Sequence, residues 1–503
     1  MKKIFPLFTM IMCLGYGSKS QNTVIPKEML DKGFEEFYQL LSLPNDAHYP
    51  EQVAANVAYM ERAFTQRDFQ VQRLETETSP LLLASKSYPG NTQTVLIYLQ
   101  VDGQPVDPSF WYQEDPFKPV LKTPISGNRA YKAIEWEQLY SENLDPEWRI
   151  FARSTADSKG AIVMFMTALD MLVAKGKKPV CNLKVIMDFE EEISSPSFAP
   201  AVRQYREALA ADMLLILDGP RHISNQPTLT FGARGIADLT LTTYGPIVPQ
   251  HSGHYGNYAP NPALILSKLL ASMKDEQGRV VIPGFYNGIE LDEETRQLLA
   301  GVPDNEAQIQ RKIGIAFPDQ VAPTYQESLQ YPSLNIRGMS SGWVGDKVRT
   351  IVPSTATAEI DIRFVPETDP LHLIQLVTEH IEKQGFYITD KAPTGQERLK
   401  HPRIVTLTSD VGYMSFRTDV NSVAGRWLRR ALTKEFGSPP VIIRNAGGSI
   451  PLAPVVNELG IPAVLVPTVN RDNNQHSPNE NIRVGNFIDG IRTNLAYLTT
   501  PIQ

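Results

Sequence analysis

Cysteine is nearly absent. Cys13 and Cys181 are the only two in 503 residues, so no disulfide framework can staple the chain and folding must rest on apolar burial. A basic excess is missing too: Lys and Arg number 48 against 55 Asp and Glu, a net charge of −7. That leaves no positive field to draw in phosphate backbones and excludes nucleic acid as an expected partner. Bilayer-spanning runs are also lacking. An apolar stretch at residues 4–14 falls short of the roughly 20 residues a span needs, so no stable membrane anchor is expected. Internal repeats and long linkers are absent as well.

What is present is 42% hydrophobic and 20% charged residues, which at roughly 150 residues per domain suits two to four globular domains. The opening differs from the rest. Lys2 and Lys3 precede the apolar stretch at 4–14, and Gly15, Gly17, Ser18 and Ser20 follow it. That order predicts a signal peptide over 1–20 and an exported, periplasmic or secreted product. Cys181 would then be the only remaining thiol, a buried structural one.

Short apolar runs alternate with helix-period segments along the first half. Residues 94–101, 183–189 and 213–217 read as buried strands, and 159–175 and 198–211 as helices, which together predict a mostly parallel α/β sheet. The pattern then changes. Residues 228–231, 237–242 and 355–365 alternate apolar and polar side chains, as antiparallel strands with one solvated face do. Helices over 261–274 and 370–384 accompany them. After about residue 415 the α/β character returns, with helices over 420–436, from 451 and from 484, and strands over 441–444 and 463–466. The chain therefore reads as one split α/β domain, 21–225 with 416–503, and an α+β unit inserted over 226–415.

Acidic and histidine side chains fall at or just beyond the ends of these strands, where open α/β sheets place their sites. They are Asp102, Asp157, the run Glu190–Glu192, Asp218 and His476. Singly each has an ordinary reading, Asp157 as a helix cap and Asp218-Gly219 as a turn. Recurring together they suggest crowded carboxylates relieved by divalent cations that make a nucleophile of water.

The segments that carry these residues resemble the M20 metallopeptidases, a family of dipeptidases, carboxypeptidases and N-acyl amino acid deacylases. Gln100-Val101-Asp102 resembles the family's HxD, Arg153–Gly160 its GRGxxDxKG, Glu190–Ser195 its EEEIGS, and Leu217-Asp218-Gly219 its DG turn. His251-Ser252-Gly253, Arg363–Pro366, Gly447–Pro451 and His476–Glu480 follow in order. The resemblance implies a split zinc-peptidase-type catalytic domain with an inserted lid and dimerisation domain. It implies one or two Zn2+ per subunit, with Mn2+ or Co2+ as alternatives: Asp157 bridging, Glu192 and His476 on one metal, Asp218 on the other. Glu191 would be the general base and His251 would reach the site of a homodimer mate. Asn335, Arg363 and Gly447, Gly448 and Ser449 would hold a small peptide or N-acyl amino acid. The family resemblance is closest to its dipeptidase branch.

One departure stands out. Gln100 occupies the place of the family's metal-binding histidine, and an amide is a poor zinc ligand beside an imidazole. Asp102 loses with it the task of orienting that ring by a hydrogen bond. Of the other histidines His222 is nearest to Asp218 in sequence, though a turn would direct it outward. The departure predicts a hydrolase with one weakened metal position, or a catalytically reduced homologue that only binds peptides or amino acids. A third reading is a serine esterase, since Gly338–Gly342 matches G-x-S-x-G, but the residues after it make a poor start for the helix such an elbow requires.

Overall fold

The computed structural model describes residues 22–125 and 130–503; the expected signal peptide over 1–20, with Cys13, lies outside the described residues. An eight-stranded sheet forms the centre, in the order Gln70–Leu74, Leu81–Lys86, Asn182–Asp188, Thr94–Gln100, Met213–Ile216, Ala463–Leu465, Thr228–Thr230, Val441–Ile443. From Asn182–Asp188 to Ala463–Leu465 neighbouring strands run parallel, and the first two strands add an antiparallel edge.

The strand Thr94–Gln100 shows why these runs read as continuously apolar. Its odd residues Val95, Ile97 and Leu99 join one core cluster, and its even residues Leu96 and Tyr98 join another on the opposite face. A parallel strand is buried on both sides, so both sets must be apolar. The first core is closed by helices Lys27–Leu41, Pro50–Thr65, Lys159–Ala174, Val423–Phe436 and Val484–Thr499. The second is closed by Phe198–Gln204 and Ala453–Leu459. Cys181 is buried and unpaired, its thiol pushed up to about 12 by burial.

A second, five-stranded sheet has the order Ser333–Ser340, Thr355–Phe364, Gly235–Tyr244, Ile404–Tyr413, Tyr387–Thr389. Strand Gly235–Tyr244 alternates buried and half-buried residues throughout, and helices Pro262–Ala271 and Pro370–Lys383 supply the apolar cover for its inner face. The two chain crossings between the sheets pair with each other, Gly232–Ala233 against Phe416–Arg417. The reading of 228–231 as a strand of the inserted unit is corrected here. Thr228–Thr230 lies parallel to Val441–Ile443 in the large sheet, and all three of its residues are buried.

Candidate metal centre

The parallel strands of the large sheet deliver their C-terminal ends to one edge. Gln100 ends one strand, Glu190–Glu192 follow the next, Asp218 lies two residues past a third, and the loop bearing His476 follows Ala463–Leu465. Ligand atoms of Asp157, Glu192 and His476 lie within 4.8 Å of one another. Within that group His476 Nε2 is 2.9 Å from Asp157 Oδ2 and 3.5 Å from Glu192 Oε2. Two carboxylates and an imidazole form a donor set suited to zinc, and to manganese or cobalt. Asp218 adjoins them through Ser158, whose hydroxyl donates to Asp218 Oδ1 at 2.5 Å and lies 3.2 Å from Asp157 Oδ1.

The charges are poorly compensated. Burial lifts the Glu191 carboxyl well above the usual carboxylate range, and the charges of Asp218, Glu192 and Asp157 push the same way. Glu192 rises to about 7, through burial and then Asp157; Asp218 rises to about 6 for the same two reasons. The hydrogen bond to Asp157 raises His476 to about 9. A divalent cation is what such a cluster holds best.

Backbone geometry positions the groups. His476 itself has φ +58, flanked in its loop by Asn474 at +56 and Asn479 at +63, a left-handed conformation that persists only where surrounding contacts enforce it. Within the loop the Ser477 N–H donates to the Asn474 carbonyl, and Asn474 and Asn481 donate to that of Asn479; Glu480, which sequence reasoning gave no role, anchors its end. Its buried carboxylate accepts from Arg153 Nη1 at 2.7 Å and from the backbone N–H groups of Ser154, Ala156 and Asp157 at 3.0, 2.8 and 3.0 Å. Glu480 thereby ties the segment after His476 to the turn that presents Asp157. Ser154 and Ser194, which stand where the family pattern has glycine, both have positive φ, +64 and +79.

Asp102 also takes a different task from the one expected. Its carboxylate accepts the backbone N–H groups of Glu191 at 3.1 Å and Glu192 at 2.9 Å, so it pins the turn that carries both glutamates. Gln100 is 1% exposed, and its amide nitrogen has no hydrogen-bond partner among the described residues. His222 does not point outward as expected: it is buried, with Nε2 2.9 Å from Asp304 of the inserted unit, and so is engaged away from Asp218. Nor does the Gly338–Gly342 segment form a nucleophile elbow. Ser340 ends a strand and Ser341 donates its hydroxyl to the Thr355 carbonyl.

A second group spans the two units. Arg363 Nη1 donates to Ser449 Oγ at 2.8 Å and Nε lies 3.6 Å from Asp361 Oδ2. Asn335 Nδ2 donates to Asp361 Oδ1 at 2.8 Å, as the register Asn335↔Asp361 of the paired strands requires. Arg234, missed in the sequence, donates to the Gly447 carbonyl from Nε and Nη2 at 3.0 and 2.9 Å; burial, with Arg363 nearby, lowers it to about 10. Gly448 is the middle residue of the same loop. His251 stands apart on the inserted unit, exposed, its Nδ1 accepting the Gly253 N–H and its ring 4.7 Å from that of His254.

A mostly parallel sheet with carboxylates and a histidine converging at its strand ends, plus an inserted α+β unit, is an arrangement suited to holding a divalent metal ion. The chain is similar to metallopeptidases of the M20 family. Residues 231–387 match the peptidase dimerisation domain of M20 proteins. The chain is 24% identical to the Cys-Gly metallodipeptidase dug1 of Schizosaccharomyces pombe, covering 94% of this chain and 96% of that protein. It is 23% identical to the Beta-Ala-His dipeptidase of Homo sapiens, covering 84% and 78%. Among solved structures it is similar to an M20 family metallo-carboxypeptidase, Sso-CP2, from Sulfolobus solfataricus, with 25% identity, a TM-score of 0.74, and 93% and 98% covered.

These comparisons correct one expectation. The Cys-Gly and Beta-Ala-His dipeptidases that match give no support to an exported product, which corrects the reading of residues 1–20 as a sign of export. Among the described residues no helix is long and apolar enough to cross a membrane.

Proposed function

We propose that this protein hydrolyses the amide bond of dipeptides or short peptides. The observation that carries this is the convergence of Asp157, Glu192 and His476 beside Glu191, a carboxylate held next to the group by its own backbone bond to Asp102. Zinc bound by the three residues would polarise the scissile carbonyl and acidify water. Glu191 takes a proton from the attacking water and passes it to the leaving amine nitrogen, work that its raised proton affinity suits. Arg363, fixed by Ser449 and Asp361, offers a planar fork to a terminal carboxylate. Asn335 and the Gly447–Ser449 backbone lie beside it, ready to hold a substrate carbonyl. In a homodimer built through the inserted unit, His251 reaches the partner's site and stabilises the oxyanion. Residues 21–225 with 416–503, joined by the strand Thr228–Thr230 of the large sheet, form the catalytic domain, and the rest of 226–415 the lid.

Gln100 favours a variant of this reading in which the position next to Asp218 binds metal weakly or not at all, because its amide replaces the nitrogen donor. The test is hydrolysis of dipeptides and N-acyl amino acids with zinc, manganese or cobalt added. Turnover should disappear with a chelator, and Glu191→Gln should lower it by about 10²- to 10⁴-fold while leaving bound zinc unchanged. Turnover equal to native in Glu191→Gln would contradict the assignment. Cleavage of N-acyl amino acids alone would favour a deacylase, and binding without cleavage a peptide-binding homologue.

A further inference from the structure

The carboxylate of Asp218 and the amide of Gln100 leave adjacent strands at the same level. The parallel register runs Val95↔Met213 to Tyr98↔Ile216, so Gln100 and Asp218, each two residues beyond the last pair, lie at the same end of adjacent strands. Asp157 borders them through the shared Ser158 hydroxyl. No Lys, Arg or His forms an ion pair with Asp218 among the described residues, and Gln100 is buried with an unsatisfied amide. The place is therefore anionic, lined by two carboxylates and one neutral amide whose nitrogen is unsatisfied, with His476 on Asp157 the cationic group at its border.

A transition metal is a poor occupant, since the nearby imidazole, His476, is engaged with Asp157 Oδ2 and Glu192 Oε2. A protonated amine is a good one. An ammonium group carries donors only, and carboxylates with an amide oxygen supply acceptors without any nitrogen ligand. Turning the Gln100 amide over exchanges its oxygen and nitrogen in nearly the same volume. We propose that the pocket formed by Asp218, Asp157 and Gln100 seats the α-ammonium group of a substrate with a free N-terminus, in the place where M20 relatives would hold a second metal ion.

The inference rests on the proposed peptidase reading and narrows it. Cation positions that share one carboxylate lie about 3.5–4 Å apart in such sites, a span that an α-amino group and its adjacent carbonyl oxygen cover. A substrate held by its amine in this pocket would thus place its first carbonyl beside Asp157, Glu192 and His476. Free dipeptides fit this arrangement. N-acyl amino acids, which have no ammonium, would leave buried carboxylates unpaired.

The test is calorimetry on full-length, zinc-loaded Glu191→Gln protein, which should bind without cleaving. Alanyl-alanine is compared with propionyl-alanine, the same molecule without its amine. Alanyl-alanine should bind at least about a hundredfold more tightly. Asp218→Asn should shrink that ratio while elemental analysis still finds one zinc per chain. Gln100→His should raise the zinc content to two and abolish the preference. Equal affinities, binding of neither compound, or two zinc equivalents in the native chain would each overturn the proposal. Selective binding of alanyl-alanine together with no cleavage by the native protein would uphold the pocket and remove the proposed activity.

Discussion

Single side chains in the loop of residues 470–483 do more than their exposure suggests. Asp472 accepts from Arg149 Nη2 at 2.6 Å and from Arg483 Nη2 at 2.9 Å, which ties the segment before His476 to the small sheet of Arg149–Phe151. Partial burial would raise its carboxyl, but the hydrogen bond and charge of Arg149 outweigh that and hold it near 2. A group whose folded pKa is depressed stabilises the fold above its unfolded value, about 3.9, and that contribution is lost as pH falls toward 2. The stability difference between native protein and Asp472→Asn should therefore be constant above about pH 5 and shrink between about pH 4 and 2. Chemical denaturation across that range measures it, and a difference independent of pH would contradict the assignment. Asp472 offered no signal in the sequence, because its partners lie 323 and 11 residues away. Asp102 was legible as part of a motif but not in its task, since accepting two backbone N–H groups depends on where the Glu191–Glu192 turn folds back.

Turns and strands of the large sheet carry the candidate site, and here the sequence was a good guide. Buried parallel strands read as unbroken apolar runs, so residues 94–101, 183–189 and 213–217 lie within a residue or two of the observed strands. Less visible were the two helices Lys27–Leu41 and Pro50–Thr65, and the helix read over 198–211, which breaks at Tyr205 into Phe198–Gln204 and Arg206–Leu209. Thr228–Thr230 was misassigned because three residues cannot distinguish a buried strand from an alternating one. The element-scale contact with most at stake is Glu480 against the turn of residues 153–157. Replacing it with alanine strands the buried Arg153 guanidinium and releases three backbone N–H groups. Glu480→Ala should cost about 3–5 kcal/mol of unfolding free energy and lower zinc affinity, because Asp157 loses its anchor. A stability loss below about 1 kcal/mol would show that the turn holds itself.

The molecule as a whole is two units joined by the paired crossings Gly232–Ala233 and Phe416–Arg417, with further bonds between them at Arg363–Ser449 and His222–Asp304. The split was readable from the change in hydrophobic period, whereas the interlobe contacts were not, since Arg234, Asp304 and Asp361 sit in stretches with no motif of their own. His251 tests the dimer. If it serves the partner's site, mixing Glu191→Gln with His251→Ala subunits should restore activity in about a quarter of the sites, because half the dimers are mixed and each holds one complete site. Each variant alone should be nearly inactive. No recovery after confirmed subunit exchange would place the function of His251 within its own chain.

Zinc-edge anomalous diffraction from crystals of the zinc-loaded protein addresses the central claim without relying on any assay. One strong peak should lie among the side-chain atoms of Asp157, Glu192 and His476, with little or none between Asp218 and Gln100. A map with no peak at those three residues, or with zinc bound only elsewhere, would contradict the account.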